Sequence, residues 1–252
     1  MSGAMNAAEQ VTAKATGPES LSAESRATAA RLAESYRVSP LDMVPNPSPL
    51  LVESTEEVAV PTPNGLFGLR AWRFADGAEH LSARALDRDG NPVPYEGGGV
   101  PAVRIHSECA TGDIFGSFRC DCGPQLENGL RIIGRTGGYL VYVRNHEGRG
   151  IGLVNKLRAY ALQDARLDTL DANLALGLDG DMRDYSQAAL ILQELGVHEM
   201  RLVTNNPAKQ EALEGLGLRV TELIPDEIPA RVENAHYLHT KRERMRHLLE
   251  RA

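Results

Sequence analysis

The sequence has little cysteine, little aromatic content and no excess of positive charge. Three of its 252 residues are cysteine, an odd and small number that excludes a disulfide-stapled scaffold. Aromatic residues make up 5%, and tryptophan occurs once. With 27 basic against 34 acidic side chains, the net charge is −7. That balance argues against a general nucleic-acid or anionic-membrane binder and leaves room only for a local basic pocket. No apolar run reaches the ~18 residues that a membrane span needs. Residues 1–30 lack the basic-then-apolar order of a secretory signal, so a cytoplasmic location is expected. The remainder is ordinary for a globular chain, with 42% hydrophobic and 24% charged residues.

Composition shifts near residue 55. Residues 1–35 contain no aromatic residue, no isoleucine and a single valine, Val11. Leu21 to Tyr36 has helical propensity, but its apolar face is mostly alanine. Four prolines from Pro40 to Pro49 follow and predict an extended linker. Residues 1–55 are therefore expected to form a poorly ordered leader, the alternative being a helix docked on a partner subunit. From Glu57 the pattern is strand-like: Val58–Pro61, Leu66–Phe74, Leu81–Leu86 and Val100–Ile105, with hairpin signals at Asn64-Gly65 and Asp87–Asn91. The period then alternates. Helices are expected over Gln125–Ile133, Gly152–Ala165, Asp184 to Gly196, Asn206 to Gly215 or Gly217, and Tyr237–Arg251. Val154, Leu157, Ala161 and Ala165 supply the helical spacing of the second. Strands are expected over Tyr139–Val143, Met200–Val203 and Leu218–Leu223. A β-rich first part followed by alternating elements predicts an α+β, mixed α/β, fold with one domain over residues 56–252.

All three cysteines fall in one short segment, Cys109, Cys120 and Cys122, or C-x10-C-x-C. C-x-C is too tight for an ordinary disulfide but lets two thiolates reach one ion, so a zinc site is the leading reading. A redox site, or three unrelated buried thiols, are the alternatives. Three thiolates leave a fourth tetrahedral position. His106 is the nearest candidate to close it as a structural site; an open position would mean catalysis with a general base nearby.

The blocks HSECATGDIFGSFRCDCGPQL (His106–Leu126), RNHEGRGIGLVNKLRAYALQD (Arg144–Asp164), DTLDANLALGLDGDMRDY (Asp168–Tyr185) and TNNPAK (Thr204–Lys209) resemble, in order, spacing and identity, GTP cyclohydrolase II of riboflavin biosynthesis. The resemblance covers about residues 56–248. Some relatives carry a 3,4-dihydroxy-2-butanone 4-phosphate synthase domain in front. That domain does not fit in residues 1–55, so a monofunctional chain with an N-terminal extension is expected.

The resemblance implies conversion of GTP to 2,5-diamino-6-(5-phosphoribosylamino)pyrimidin-4(3H)-one, formate and pyrophosphate. One zinc ion would sit on Cys109, Cys120 and Cys122, with Mg2+ on the triphosphate and a homodimeric assembly. It assigns substrate contacts to Arg104, Ile105, His106, Ser107, Glu108, Gln125, Glu147, Gly148, Arg149, Thr169, Thr204 and Lys209. Glu147 is suited by shape to pair with the guanine N1–H and 2-amino group. Tyr160 is associated with completing deformylation, Asp181 with proton acceptance and Arg183 with attack on the α-phosphorus. A guanidinium has no lone pair to give, so a bidentate phosphate clamp is the plain alternative for Arg183. Two rival outcomes stay open: release of a formylated pyrimidine, and an inactive GTP-binding paralogue. A zinc-stabilised nucleic-acid module conflicts with the charge and with the lack of an aromatic and basic stripe.

Overall fold

Eight strands form one mixed sheet in the computed structural model, which describes residues 22–36, 48–97, 99–245 and 248. The strands are β1 (Leu51–Ser54), β2 (Val58–Thr62), β3 (Gly65–Phe74), β4 (Glu79–Leu86), β5 (Ala102–Ser107), β6 (Gly138–Val143), β7 (Glu199–Val203) and β8 (Arg219–Ile224). The helices are α1 (Ala23–Ser35), α2 (Ala110–Asp113), α3 (Cys122–Thr136), α4 (Gly152–Asp164), α5 (Thr169–Ala175), α6 (Ser186–Glu194), α7 (Pro207–Gly215) and α8 (Ala235–Met245). The mixed α/β fold matches the expectation. The strand order is β1-β3-β4-β6-β5-β7-β8, with β2 also paired to β3.

The first half is an antiparallel meander, in which Asn64-Gly65 closes the β2–β3 hairpin as its sequence predicts. The second half is parallel: β5 lies between β6 and β7, and β8 flanks β7. The Asp87–Asn91 turn closes only an isolated bridge, Leu86 to Pro92, and not a strand hairpin. Gly138 opens β6 at φ +137°, where a Cβ would sit 1.9 Å from the Ala102 carbonyl oxygen. Only glycine lets β6 approach β5 that closely.

Period-two burial sorts β6 across the sheet. Tyr139, Val141 and Val143 join Trp72, Ile105, Ile191, Leu192 and Leu213 in one core, beneath α6 and α7. Leu140 joins Phe67, Ala83 and Ile133 in the core beneath α3. Helices therefore cover both faces, as a parallel sheet requires.

A third cluster departs from the expected leader. Ala29 of α1 is buried with Ala159 and Leu162 of α4 and Ala172 of α5, and Leu32, Ala33 and Tyr36 pack beside it. Alanine suffices there because small side chains let two helices approach closely. The domain boundary at 55 also falls inside the sheet, since β1 pairs with β3 through Ser54–Trp72. Residues 1–21 and most of the Pro40–Pro49 linker lie outside the described residues. The terminal helix is described to Met245.

In α4 the apolar residues at helical spacing divide between solvent and the core. Val154 and Leu157 are 55% and 51% exposed, whereas Asn155, Lys156, Ala159 and Leu162 are buried. Asp184 stands just before the start of α6. Asp184 accepts from Ser186 N at 2.7 Å, but Gln187 turns away to meet His80, Ser48 and Asp76.

Candidate active site

Ligand sites in open α/β sheets form where neighbouring parallel strands send their chains to opposite sides at their carboxyl ends. Here that point lies beyond β5, with β6 and β7 on its two sides. A cleft of about 1040 Å³, its open mouth included, lies there. The segments after β5, β6 and β7 line it, together with α3, α4, α5, α7 and α8.

The three cysteines converge at one end of this cleft. Their Sγ atoms all lie within 4.8 Å of one another, and Cys109 and Cys120 are 3.7 Å apart. Tetrahedral Zn–S bonds of about 2.3 Å place sulfurs about 3.8 Å apart, so the spacing fits a shared ion. The cradle around the sulfurs admits no extra atom: a Cβ on Gly112 would meet Cys120 Sγ at 2.9 Å and Cys109 Sγ at 3.2 Å. His106 does not close the set. Its Nε2 donates to the Asp113 carboxylate at 3.1 Å, and Asp113 also accepts from Tyr142 Oη and Cys109 N. Among the described residues no other His, Cys, Asp or Glu side chain joins this group. Hydrogen bonds from Cys120 and Cys122, with help from Lys156, pull Cys109 down, and Cys120 is in turn pushed up to about 11.

Basic side chains line the rest of the cleft. Arg104 is buried; it donates to the Val203 carbonyl and Gln125 Oε1, and pairs with the fully buried Asp226 at 2.9 Å. Gln125 is thereby fixed, its Nε2 donating to Asp121 at 2.7 Å. Lys209 lies in the first turn of α7, whose start is the expected Asn206 cap accepting from Ala208 N. Its Nζ donates to the Ile105 carbonyl at 2.7 Å, and burial pushes its pKa well down. Ile105 itself is wholly buried in the sheet, and its carbonyl is the group that meets Lys209. Ser107, Glu108, Gly148, Arg149, Thr169 and Thr204 line the cleft.

Two assignments meet a different geometry. The Glu147 carboxylate is buried and already engaged: Oε1 accepts from Lys156 Nζ at 2.5 Å, and Oε2 accepts from Ala110 N at 2.7 Å. Both oxygens are thus held within the protein, while Glu147 still lines the cleft. Asp181 is half exposed and does not line the cleft. Its two oxygens take a fork from Arg183 Nε and Nη2. Burial pushes the Asp181 carboxyl up, but Arg183 and Arg149 outweigh it and hold the pKa below the usual range. A carboxylate so stabilised is a weak proton acceptor until a second anion draws Arg183 away.

Tyr160 lies beside the cysteine loop, its Oη 3.3 Å from Thr111 Oγ1 and its ring under the Arg119 guanidinium at 4.3 Å. The backbone between β6 and α4 is coiled in the left-handed region at Asn145, Gly148, Arg149, Gly150 and Gly152. At Arg149 that conformation costs ~1–2 kcal/mol, a strain concentrated at the cleft wall.

Several cleft residues were not found from the sequence. His146 Nε2 donates to the Asp184 carbonyl at 2.8 Å, leaving Nδ1 to accept from Ser107 Oγ at 3.1 Å. Burial, with Arg183 nearby, lowers the His146 pKa to about 3. From α8, Tyr237 enters the cleft, and Lys241 pairs at 2.7 Å with Asp121, the residue between Cys120 and Cys122. Lys156 and Asn173 complete the wall. No local signal marks Tyr237 or Lys241, because their partners are remote in sequence.

Comparison with known proteins bears on the same segments. Residues 53–225 match the family profile described as GTP cyclohydrolase II. The riboflavin biosynthesis protein RibBA of Rhodococcus jostii (strain RHA1) is 51% identical over 198 residues, which is 78% of this chain and 47% of that protein. Proteins of the same name are 51% identical in Mycobacterium marinum (strain ATCC BAA-535 / M) and 50% identical in Mycobacterium tuberculosis (strain ATCC 25618 / H37Rv), each over 197 residues. Both matches cover 78% of this chain and 46% of the relative. The chain thus spans about half the length of the curated relatives it matches.

Proposed function

The chain belongs to the GTP cyclohydrolase II family, and from that premise we propose that it hydrolyses GTP to 2,5-diamino-6-(5-phosphoribosylamino)pyrimidin-4(3H)-one, formate and pyrophosphate. The observation that carries this reading is a cluster of three cysteine sulfurs at one end of a cleft lined by arginines and lysines. Cys109, Cys120 and Cys122 would hold one zinc ion, which supplies a Lewis acid for hydrolysis at purine C8. Mg2+ would enter with the triphosphate rather than on a protein site of its own.

The chain's own residues divide the work. Arg183, Arg149 and Lys209 are the anion-binding groups, and the left-handed turn at 148–150 leads into the start of α4, where backbone N–H groups favour negative charge. A phosphate oxygen pair matches the guanidinium fork of Arg183 that Asp181 occupies in this structure. On exchange Asp181 would be released, unpaired, as a proton acceptor. Arg183 is read as a clamp: burial opposes its charge, but the Asp181 carboxylate beside it favours the protonated guanidinium, which has no lone pair to give. Tyr160, beside Cys109 and Thr111, serves the deformylation step. The catalytic unit is read as the sheet from β1 onward and the helices that follow it, with α1 as an added brace on α4 and α5.

A homodimer is part of the same reading, supported by the exposed apolar stripe of Leu153, Val154 and Leu157 on α4 and Leu174 on α5. Val154→Asp should convert a dimer to a monomer in sedimentation velocity. Incubation with GTP and Mg2+, followed by assays for formate, pyrophosphate and the pyrimidine, tests the activity. A formylated pyrimidine without formate supports the truncated reaction. Nucleotide binding without turnover supports an inactive paralogue. Among the described residues no helix is long and apolar enough to cross a membrane.

A further inference from the structure

Helix α4 turns leucine and valine to solvent and buries a lysine. Lys156 is 7% exposed, while Val154 and Leu157 on the same helix are more than half exposed. A buried ammonium is costly unless it is paired, so its partners indicate why it is there. Its Nζ donates to Cys109 Sγ at 3.1 Å and to Glu147 Oε1 at 2.5 Å. The Tyr160 ring centroid lies 5.7 Å away. The stem is pinned as well: a Cβ on Gly148 would come within 3.1 Å of Lys156 Cβ. The other Glu147 oxygen accepts from Ala110 N, next to Cys109 in the chain.

We infer that Lys156 is a positioning residue for the metal centre, and that Glu147 holds it there. The inference rests on the proposal that the three cysteines hold a divalent ion. A divalent ion on three thiolates carries a net charge of −1. The pair Lys156 and Glu147 adds nothing to that sum, but it brings the positive end to Cys109. Removing Lys156 alone would leave two negative centres, the complex and Glu147, buried side by side. Removing both members returns the sum to −1. The hydrogen bond to Cys109 also draws electron density from that sulfur, which makes the ion a stronger electrophile. Lys156 touches a metal ligand and not the reacting atoms, so its effect reaches the chemistry only through the ion.

The test uses the full-length chain and reads metal binding without turnover. Zinc affinity is measured by competition with a chromophoric chelator. Co(II) is then substituted and the sulfur-to-cobalt charge-transfer band recorded. Lys156→Met should weaken zinc binding by about 10- to 100-fold, the range for loss of a group supporting a ligand. It should also move the band to lower energy, because the sulfur becomes a better donor. Lys156→Arg should stay near the wild type in both. The double variant Lys156→Met with Glu147→Gln should recover much of the affinity but not the band position, since charge is rebalanced while the hydrogen bond stays lost. Where Lys156→Met does not fold, Lys156→Gln and the double variant carry the comparison. Wild-type affinity together with an unshifted band in a folded Lys156→Met protein overturns the inference and leaves the metal reading intact. Failure of the wild-type protein to bind zinc or Co(II) overturns both.

Discussion

Gly112 offers the sharpest test of the cysteine cradle, because a single added carbon has nowhere to go. A Cβ there would meet Cys120 Sγ at 2.9 Å, Cys122 Cβ at 3.0 Å and Cys109 Sγ at 3.2 Å. Ordinary contact begins near 3.4 Å, so all three neighbours are too close at once. Two of them are sulfur atoms of the proposed ligand set, and the third is the Cβ of the remaining ligand. Relief by as much as ~0.5 Å exceeds the ~0.2 Å tolerance of a metal site. The alternative is for α2 to shift, which is resisted by Asp113 N bonding to the Cys109 carbonyl and by the Asp113 carboxylate bonding to Cys109 N. Overpacking of this kind costs ~1–3 kcal/mol. At about 1.4 kcal/mol per decade that is roughly a 5- to 150-fold loss of zinc affinity. The assay is chelator competition on Gly112→Ala, with circular dichroism to confirm that the chain is folded. Gly215→Ala is the control, since nothing lies within 4 Å of a Cβ at that position; it should bind zinc like the wild type. A folded Gly112→Ala protein with zinc affinity within about twofold of the wild type would refute the claim that this glycine is reserved for the sulfurs.

Arg183→Ala should cut pyrophosphate release by ~10²–10³, while Arg183→Lys retains part of it, as a clamp but not a nucleophile would. A nucleotidyl-sized mass on the Arg183 peptide during quenched turnover would contradict the clamp. Tyr160→Phe should slow formate release and let a formylated pyrimidine accumulate; an unchanged formate yield and rate would make Tyr160 a packing residue beneath Arg119. His146, lowered from 6.5 to about 3 in the folded chain, binds a proton more readily when unfolded. Its contribution is therefore complete above pH 6.5 and is lost as the pH falls toward 3. Between pH 7 and pH 5 that amounts to about 2 kcal/mol, read as a lower urea midpoint. His146→Gln should flatten that portion of the slope, and an identical slope in both proteins would assign the acid sensitivity elsewhere.

What the sequence revealed depended on whether one segment or several built a feature. Asn206-Pro207 and Asn64-Gly65 behave as read, because a cap and a tight turn are closed within a few residues. The C-x10-C-x-C segment is almost as local, and its sulfurs converge as expected. Periodicity in α4, by contrast, revealed an apolar stripe but not the direction in which it faces. A stripe at helical spacing serves a core or an exterior patch equally well, and only the neighbours decide. Here the inward face must supply Lys156 to Cys109 and Asn155 to the Ile151 carbonyl, so the leucine and valine are left outside. Glu147 shows the same limit. Its carboxylate has the shape for a guanine edge, but shape says nothing about prior engagement, and the lysine nine residues on takes it first. Lys241 and Asp121 are further still, 120 positions apart, and nothing near either residue anticipates the pair. A cleft assembled from the carboxyl ends of β5, β6 and β7 therefore reads from sequence as an inventory of chemical groups. Which groups are free to meet a substrate, and which are committed to holding one another, is set by contacts among elements that are remote in sequence.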